Sequence, residues 1–535
     1  MLFDPQPYNV LLALGHWLAV FGSCVGIAFF VAMMTGLASG RPGAVIAAVT
    51  SSIGDLFSTS PRRVGAVARL TFQEAKRRKA LYVFFVFAAL FMFAGWFLSN
   101  PSNRPDLQAE SYIVFVLTAI SWLIVAVMLL LSCWGVPEDI RLRSLHTVVT
   151  KPIRRHEIVL GRMAGYIGVG SIMLLLMGVI GYVWIFRQIP DEAKPNLVAR
   201  VPVYGSLTFL NREGKAANAG VNIGDLWDFR SYVEGATKSR AIWTFDNISE
   251  SRVGDKLVLE TKFEAFRTHK GNMEKGLLGR FVFVNPVKNI NLPGKPFEVK
   301  EYRENTIVID RKMTEVDDET GELKSYDLFD DLVYQAEDGT NKLTVEVQCL
   351  DAGQYLGMAR PDLFVRLADR PFAVSYSKSI LGIWLMMCMI VMLGVSVSCF
   401  VKGPVATLTV FTFLIIGHGM REFMGRVVTG QEKGSGLVES VYRLFNHMNP
   451  MVELEPGTAT NVIFGIDWVF KKMLWLVQHI IPDFGVFHMT PYVAKGFDVS
   501  WEAAMVPSLL ITLGYALPCL LIGYYTLRFR ELEAK

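Results

Sequence analysis

The sequence predicts an α-helical polytopic membrane protein of about seven transmembrane helices with an inserted β-rich, extracytoplasmic domain of sandwich type. Three observations lead there. The chain of 535 residues is 52% hydrophobic and only 19% charged, with a mean hydropathy of +0.35. Its apolar residues are gathered into runs long enough to cross a bilayer, which takes about 20 residues each. One long stretch, 188–376, is polar and alternates in the manner of strands.

Six apolar runs stand out, at 10–34, 80–98, 112–134, 163–186, 379–400 and 505–527. A seventh, 404–420, is shorter and opens on Pro404, a residue suited to a first helical turn. The run at 10–34 has no basic residue before it and exceeds the length of a signal sequence core, so it reads as a retained span.

Lysine and arginine near the ends of spans set the expected orientation. Residues 62–79 hold Arg62, Arg63, Arg69, Lys76, Arg77, Arg78 and Lys79 against the single acid Glu74. Residues 135–162 hold Arg141, Arg143, Lys151, Arg154, Arg155 and Arg162. Both segments are expected in the cytoplasm. The loop 99–111 has only Arg104 and is expected outside, and the tail with Arg528, Arg530 and Lys535 inside. Seven spans then place the N-terminus outside and the C-terminus in the cytoplasm.

This divides the chain. Residues 1–61 form an extra N-terminal span and cytoplasmic linker, and 62–187 an amphipathic elbow followed by three spans. Residues 188–376 are the extracytoplasmic β domain. Residues 377–420 are two spans joined by a tight cytoplasmic turn, Ser398 to Pro404. Residues 421–504 are an outer loop, and 505–535 the last span and tail. Within the β domain Leu257, Leu259, Thr261 and Phe263 share one face; Thr306 to Ile309 and Leu343 to Val347 alternate similarly. Turn residues such as Pro293-Gly294 and Asp338-Gly339 separate the strands. Within the outer loop, 461–481 is apolar enough to span, but Asp467, Lys471 and Gln478 line one helical face with Lys472 beside them. That pattern fits a helix lying in the interface. Segment 35–61 and the acidic stretch around Asp317, Asp318 and Glu319 have the composition of weakly ordered chain.

The small net charge of +4 and the absence of a basic, aromatic-interleaved run argue against nucleic acid. The six cysteines show no metal-ligand spacing and no disulfide framework. His447, His479 and His488 share the outer loop at irregular spacing, and Arg154-Arg155-His156-Glu157 lacks the second histidine of a zinc hydrolase; no metal or catalytic site is expected. His16, within the first span, reads as a hydrogen-bonded packing residue. Gly22 and Gly26, with Ala19 and Ser23, have small-residue spacing suited to helix packing, within the chain or against a partner.

The stretch with the strongest functional signal is 137–162, PEDIRLRSLHTVVTKPIRRHEIVLGR. By charge alone it is an ordinary cytoplasmic loop. Its order is more specific: Glu138, then Thr147, Val148-Val149, Lys151-Pro152, Arg154 or Arg155, Glu157, and Gly161-Arg162 at the mouth of the next span. This order resembles the cytoplasmic coupling loop of type-2 ATP-binding-cassette (ABC) exporter permeases, most closely the bacterial ones with a large periplasmic insert. One departure is Ser144-Leu145-His146 ahead of Thr147, where such permeases often carry glycine. The elbow, with Arg69, Lys76, Arg77, Arg78 and Lys79, and the turn Ser398 to Pro404 fit the same resemblance, which covers about 62–187 and 377–527.

The resemblance implies a transport subunit of the bacterial inner membrane, with the loop contacting a separate ABC ATPase subunit. It also implies a second permease subunit, as homo- or heterodimer, and surrounding membrane lipid. The chain has no G-x-x-x-x-G-K-[ST] loop, so ATP would be bound by the partner and this chain would hold no cofactor. Spans almost free of charge argue against an ion-coupled carrier. The alternative is a non-transporting anchor or sensor that presents a ligand-binding β domain outside. An intramembrane enzyme has less behind it, since no span carries paired carboxylates or a Ser/His pair.

Overall fold

The fold was analysed in a computed structural model. It describes residues 8–38, 58–77, 82–98, 105–141, 153–217, 219–221, 230–268, 275–300, 303–316, 323–337, 339–430 and 456–529, with parts of 39–57 and 431–455. Segment 317–322 and most of 35–57, the stretches of weakly ordered composition, lie outside the described residues. The chain divides into two compact units. One comprises Asn196–Ser375 with Lys495–Asp498, and the other comprises the helical segments Pro7–Pro195, Tyr376–Ala494 and Val499–Lys535.

Among the described residues the helical unit contains six helices long and apolar enough to cross a membrane. Its elements are α1 (Val10–Ala38), α2 (Pro61–Arg77), α3 (Val83–Phe97), α4 (Pro105–Arg141), α5 (Arg155–Gln188), α6 (Phe372–Ser398), α7 (Gly403–Thr429), α8 (Leu437–Phe445), α9 (Thr458–Ile480) and α10 (Val506–Phe529). The run expected to span at 80–98 is α3, whose 15 described residues fall short of a full crossing. The run expected at 404–420 is longer than its apolarity suggests. A π turn at Ile416–Met420 carries it without a break into Arg421–Thr429. The helix thus continues past residue 420 to Thr429.

Both ends of the segment 137–162 are helical, and residues 142–152 lie outside the described residues. α4 continues through Pro137 to Arg141, and α5 starts at Arg155. At about 1.5 Å per residue the 37 residues of α4 reach about 55 Å, well beyond a hydrocarbon core of about 30 Å.

α6 is the centre of this unit, buried along most of its length. The Tyr376 hydroxyl donates to the Gly178 carbonyl at 2.8 Å, Trp384 Nε1 to Ser171 Oγ at 2.7 Å, and Ser396 Oγ to the Cys519 carbonyl at 2.7 Å. These bonds tie α6 to α5 and α10. α1 is the opposite case. Asn9 caps its first turn by accepting from the Leu12 N–H, and Trp17 donates to the Gly514 carbonyl of α10 at 3.0 Å. The rest of α1 is largely exposed. A Cβ added at Gly22 or Gly26 meets nothing within 4 Å, so packing of this pair inside the chain is not what the glycines do. His16 is likewise exposed and not packed as expected.

The second unit is β-rich, and every pairing between its named strands is antiparallel. A four-stranded sheet runs in the order Val198–Tyr204, Leu363–Pro371, Lys256–Thr261, Asn305–Asp310. A larger sheet is centred on Leu277–Asn285, Asn341–Cys349 and Arg240–Asp246. The alternation in sequence is realised as expected: Leu257, Leu259, Thr261 and Phe263 are all buried, as are Leu343, Val345 and Val347. Both sheets feed one core, in which Trp243, Phe245 and Phe283 meet Leu257, Leu259 and Val365. Gly339 turns with φ +76°, a conformation that glycine adopts without steric cost.

The segment Lys495–Asp498, remote in sequence, completes this unit. The Arg200 N–H donates to the Gly496 carbonyl, and the Asp498 N–H to the Arg200 carbonyl, both at 2.8 Å. The Arg200 guanidinium lies 4.4 Å from the Phe497 ring centroid, and Arg370 pairs with Asp498 at 2.7 Å.

Candidate functional site

Three of the residues singled out by the sequence, Glu157, Gly161 and Arg162, meet where α2 crosses the start of α5. Close approach is possible because α5 offers glycine at two successive turns. A Cβ on Gly161 would lie 2.5 Å from the Val67 Cβ, and one on Gly165 would lie 2.5 Å from the Thr71 Cβ. Val67, Thr71 and Ala75 form the buried stripe of α2, at the four-residue spacing that places them on one face. Arg69, Lys76 and Arg77 lie on its exposed side. Arg78 and Lys79 lie outside the described residues, as do Thr147, Lys151 and Pro152 of the loop.

Glu157 joins the two helices at their N-termini. Its Oε2 accepts from the Arg154 N–H at 2.9 Å, closing a capping box on α5. Its Oε1 accepts from the Ser60 N–H at 2.8 Å, and the Ser60 carbonyl accepts from Val64 in the first turn of α2. One carboxylate thus faces the positive ends of two helix dipoles, and Arg63 adds an ion pair at 3.2 Å. Beside it, Thr59 Oγ1 and His156 Nε2 are 2.9 Å apart.

One turn deeper, Arg162 is enclosed by acids from two other helices. Its guanidinium bonds Glu74 of α2 at 2.5 Å and Asp139 of α4 more closely still. All three are shielded, Arg162 most of all at 6% side-chain exposure. Arg162 and Asp139 are the buried members of this triad, and removing the arginine alone is the costly change. The triad locks α2, α4 and α5 into one body.

Glu157 and Arg162 make these contacts inside the chain, and Gly161 is covered by α2, so all three position the helices. Arg154 and Arg155 are half-exposed at the mouth of the loop, although Arg155 also donates to the Arg528 carbonyl of α10. Glu138 is partly exposed and pairs with Arg141 at 3.3 Å. Gly165, Asp139 and Glu74 belong to the arrangement and carried no separate signal in the sequence. Gly165 stands four residues from Gly161, the same small-residue spacing that Gly22 and Gly26 have in α1.

Among the described residues no group of three His, Cys, Asp or Glu could hold a metal ion. His479 hydrogen-bonds its own helix through the Trp475 carbonyl, away from His488, whose ring instead meets that of His418 at 5.5 Å. No family model, curated protein or solved structure matches this chain.

Proposed function

We propose that the chain is the membrane-spanning permease subunit of an ATP-driven ABC transporter, an exporter of the bacterial inner membrane. In this reading a separate ATPase subunit binds the ATP. A second permease subunit, identical or not, completes the pathway, and the chain has no catalytic site of its own. Seven spans hold the N-terminus outside and the C-terminus in the cytoplasm, and the β unit is a periplasmic sandwich.

The observation that supports the reading is the docking of α2 onto the opening turns of α5. A motor protein pressing on 142–154 must move helices, not bend a loop. Glu157 ties the start of α5 to the start of α2, and the Arg162 triad adds α4. Force applied at Arg154 therefore displaces three helices together. Such a body can take two discrete positions, and ATP binding by the partner would shift the population between them.

The test is co-purification with the ATPase. Charge reversal of Arg154 and Arg155 together should leave the protein inserted, lower the yield of complex and lower substrate-stimulated hydrolysis. Because Arg155 also holds the end of α10, Arg154→Glu is tested separately. Arg104→Glu, on the opposite side, should do neither. Undiminished binding and hydrolysis with Arg154→Glu would remove the transport reading and leave the anchored sensor with its β domain outside.

A further inference from the structure

The structure assigns the end of α7, α8 and α9 to a lipid-seated module in which α9 lies along the membrane boundary, acyl chains on one stripe and anionic headgroups on the next. The module has reversed polarity. Asp467 of α9 is buried and accepts from the Val438 and Glu439 N–H groups at 2.8 and 3.0 Å, capping α8. Gly436 permits this, since a Cβ there would sit 2.1 Å from Asp467 Oδ2. Glu439 and Arg443 are also buried and paired at 2.6 Å, and Arg443 donates onward to the Asn449 and Val452 carbonyls. Arg421 of α7 donates to the Gln478 and Ile481 carbonyls at 2.9 Å. The acids and arginines thus satisfy one another inside, while Leu444 and Phe445 stand 74% and 79% exposed outside.

α9 divides into three stripes. Ile463 and Asp467 face the module and are buried. Val462, Ile466, Val469, Met473, Leu476 and Ile480 are all exposed, at alternating spacings of four and three that place them on one face. Trp468, Lys472, Trp475 and His479 repeat the same spacing on the neighbouring face. There Lys472 Nζ lies 5.7 Å from the Trp468 ring centroid, and the Trp475 and His479 rings are 4.1 Å apart. A purely apolar stripe against a stripe of tryptophan and cation is the chemistry of the bilayer boundary, where indole rings sit at headgroup level. On α9 the one acid, Asp467, is turned inward, so the charge this helix presents is positive and suits phosphate, whereas Glu422 of α7 is exposed.

Position supports the same occupant. α7 has 27 residues and spans about 40 Å, longer than the hydrocarbon core, so its last turns lie at a membrane surface. α9 packs on those turns. A crossing α9 would instead draw Lys471 and Lys472 through the core.

The test uses full-length protein, its native cysteines replaced, in nanodiscs of phosphatidylcholine and phosphatidylglycerol. Single spin labels are placed at Val462, Val469, Leu476 and Lys472. The first three should be reached by oxygen, lie at equal depth and be shielded from a water-soluble nickel chelate; the label at Lys472 should be reached by the chelate. A depth difference of about 20 Å between 462 and 476 would mean that α9 crosses the bilayer. Chelate access at all four sites would mean a water-facing helix, and spin–spin coupling between copies would mean that a second chain covers the stripe; each overturns the assignment. For the headgroup stripe, phosphatidylglycerol should raise the Tm of the unaltered protein more than that of Lys471→Gln/Lys472→Gln. An identical rise in both would overturn that half.

Discussion

The Glu157 carboxylate lies 2.8 Å from the Ser60 backbone nitrogen, so the side chain that caps α5 also holds the N-terminal turn of α2. A single residue therefore fixes the relation between an amphipathic helix and a long apolar one. Replacing it by alanine removes the acceptor of two part-buried backbone donors and one ion-pair partner of Arg63. A buried donor left unmet costs about 1–3 kcal/mol, and these part-buried ones less. Glu157→Ala should lower the Tm of the purified protein clearly, and Glu157→Gln, which keeps an acceptor oxygen, should lower it less. Equal losses would show that the hydrogen bonds do not matter individually.

The Arg162 triad makes a sharper demand. Arg162→Ala takes the guanidinium away from Glu74 and the buried Asp139, and should lower stability by about 1–3 kcal/mol. Glu74→Gln in the Arg162→Ala background should recover part of it. Denaturant unfolding of the single and double variants measures the coupling, and strictly additive losses would separate the two residues.

At the crossing of α2 and α5, shape decides. Gly165→Val puts a branched side chain where the Thr71 Cβ already stands, and overpacking of this kind costs about 1–3 kcal/mol. Gly22→Ala and Gly26→Ala in α1 meet no neighbour and should be neutral or favour the helix. Protease resistance of α2 in detergent distinguishes them: it should fall for Gly165→Val alone.

In the β unit burial is expected to silence the lone thiol of the strand Asn341–Cys349. Burial pushes the Cys349 thiol up to about 11, so the reactive thiolate is scarce at neutral pH and grows only as pH approaches that value. A membrane-impermeant maleimide should therefore leave Cys349 unlabelled in intact cells at neutral pH. Cysteines introduced at the exposed Val287 and near Asp106 should be labelled from outside, and one at Arg154 should not. Labelling at Arg154 would reverse the orientation read from the basic loops.

Local pattern accounts for much of this architecture. Apolar runs and period-two alternation are carried by neighbouring residues, so α4, α5, α6 and strands such as Lys256–Thr261 were legible before any coordinates. Gly161 and Arg162 were also marked, though as part of a loop facing a partner. The partners that redefine them were not legible, because Glu74 stands 88 residues from Arg162 and Asp139 stands 23 away. Charge counting treats Glu74 as a lone acid in a basic segment; only packing turns it inward. The segment Lys495–Asp498 joins the β unit through Arg200 without any strand-like run of its own. α9 illustrates the division most clearly. Its sequence determined that one face carries Asp467, Lys471 and Gln478 and that the helix is apolar elsewhere. Only tertiary structure decided that Asp467 turns inward to cap α8, because a carboxylate finds two unpaired backbone N–H groups only where another helix happens to begin beside it.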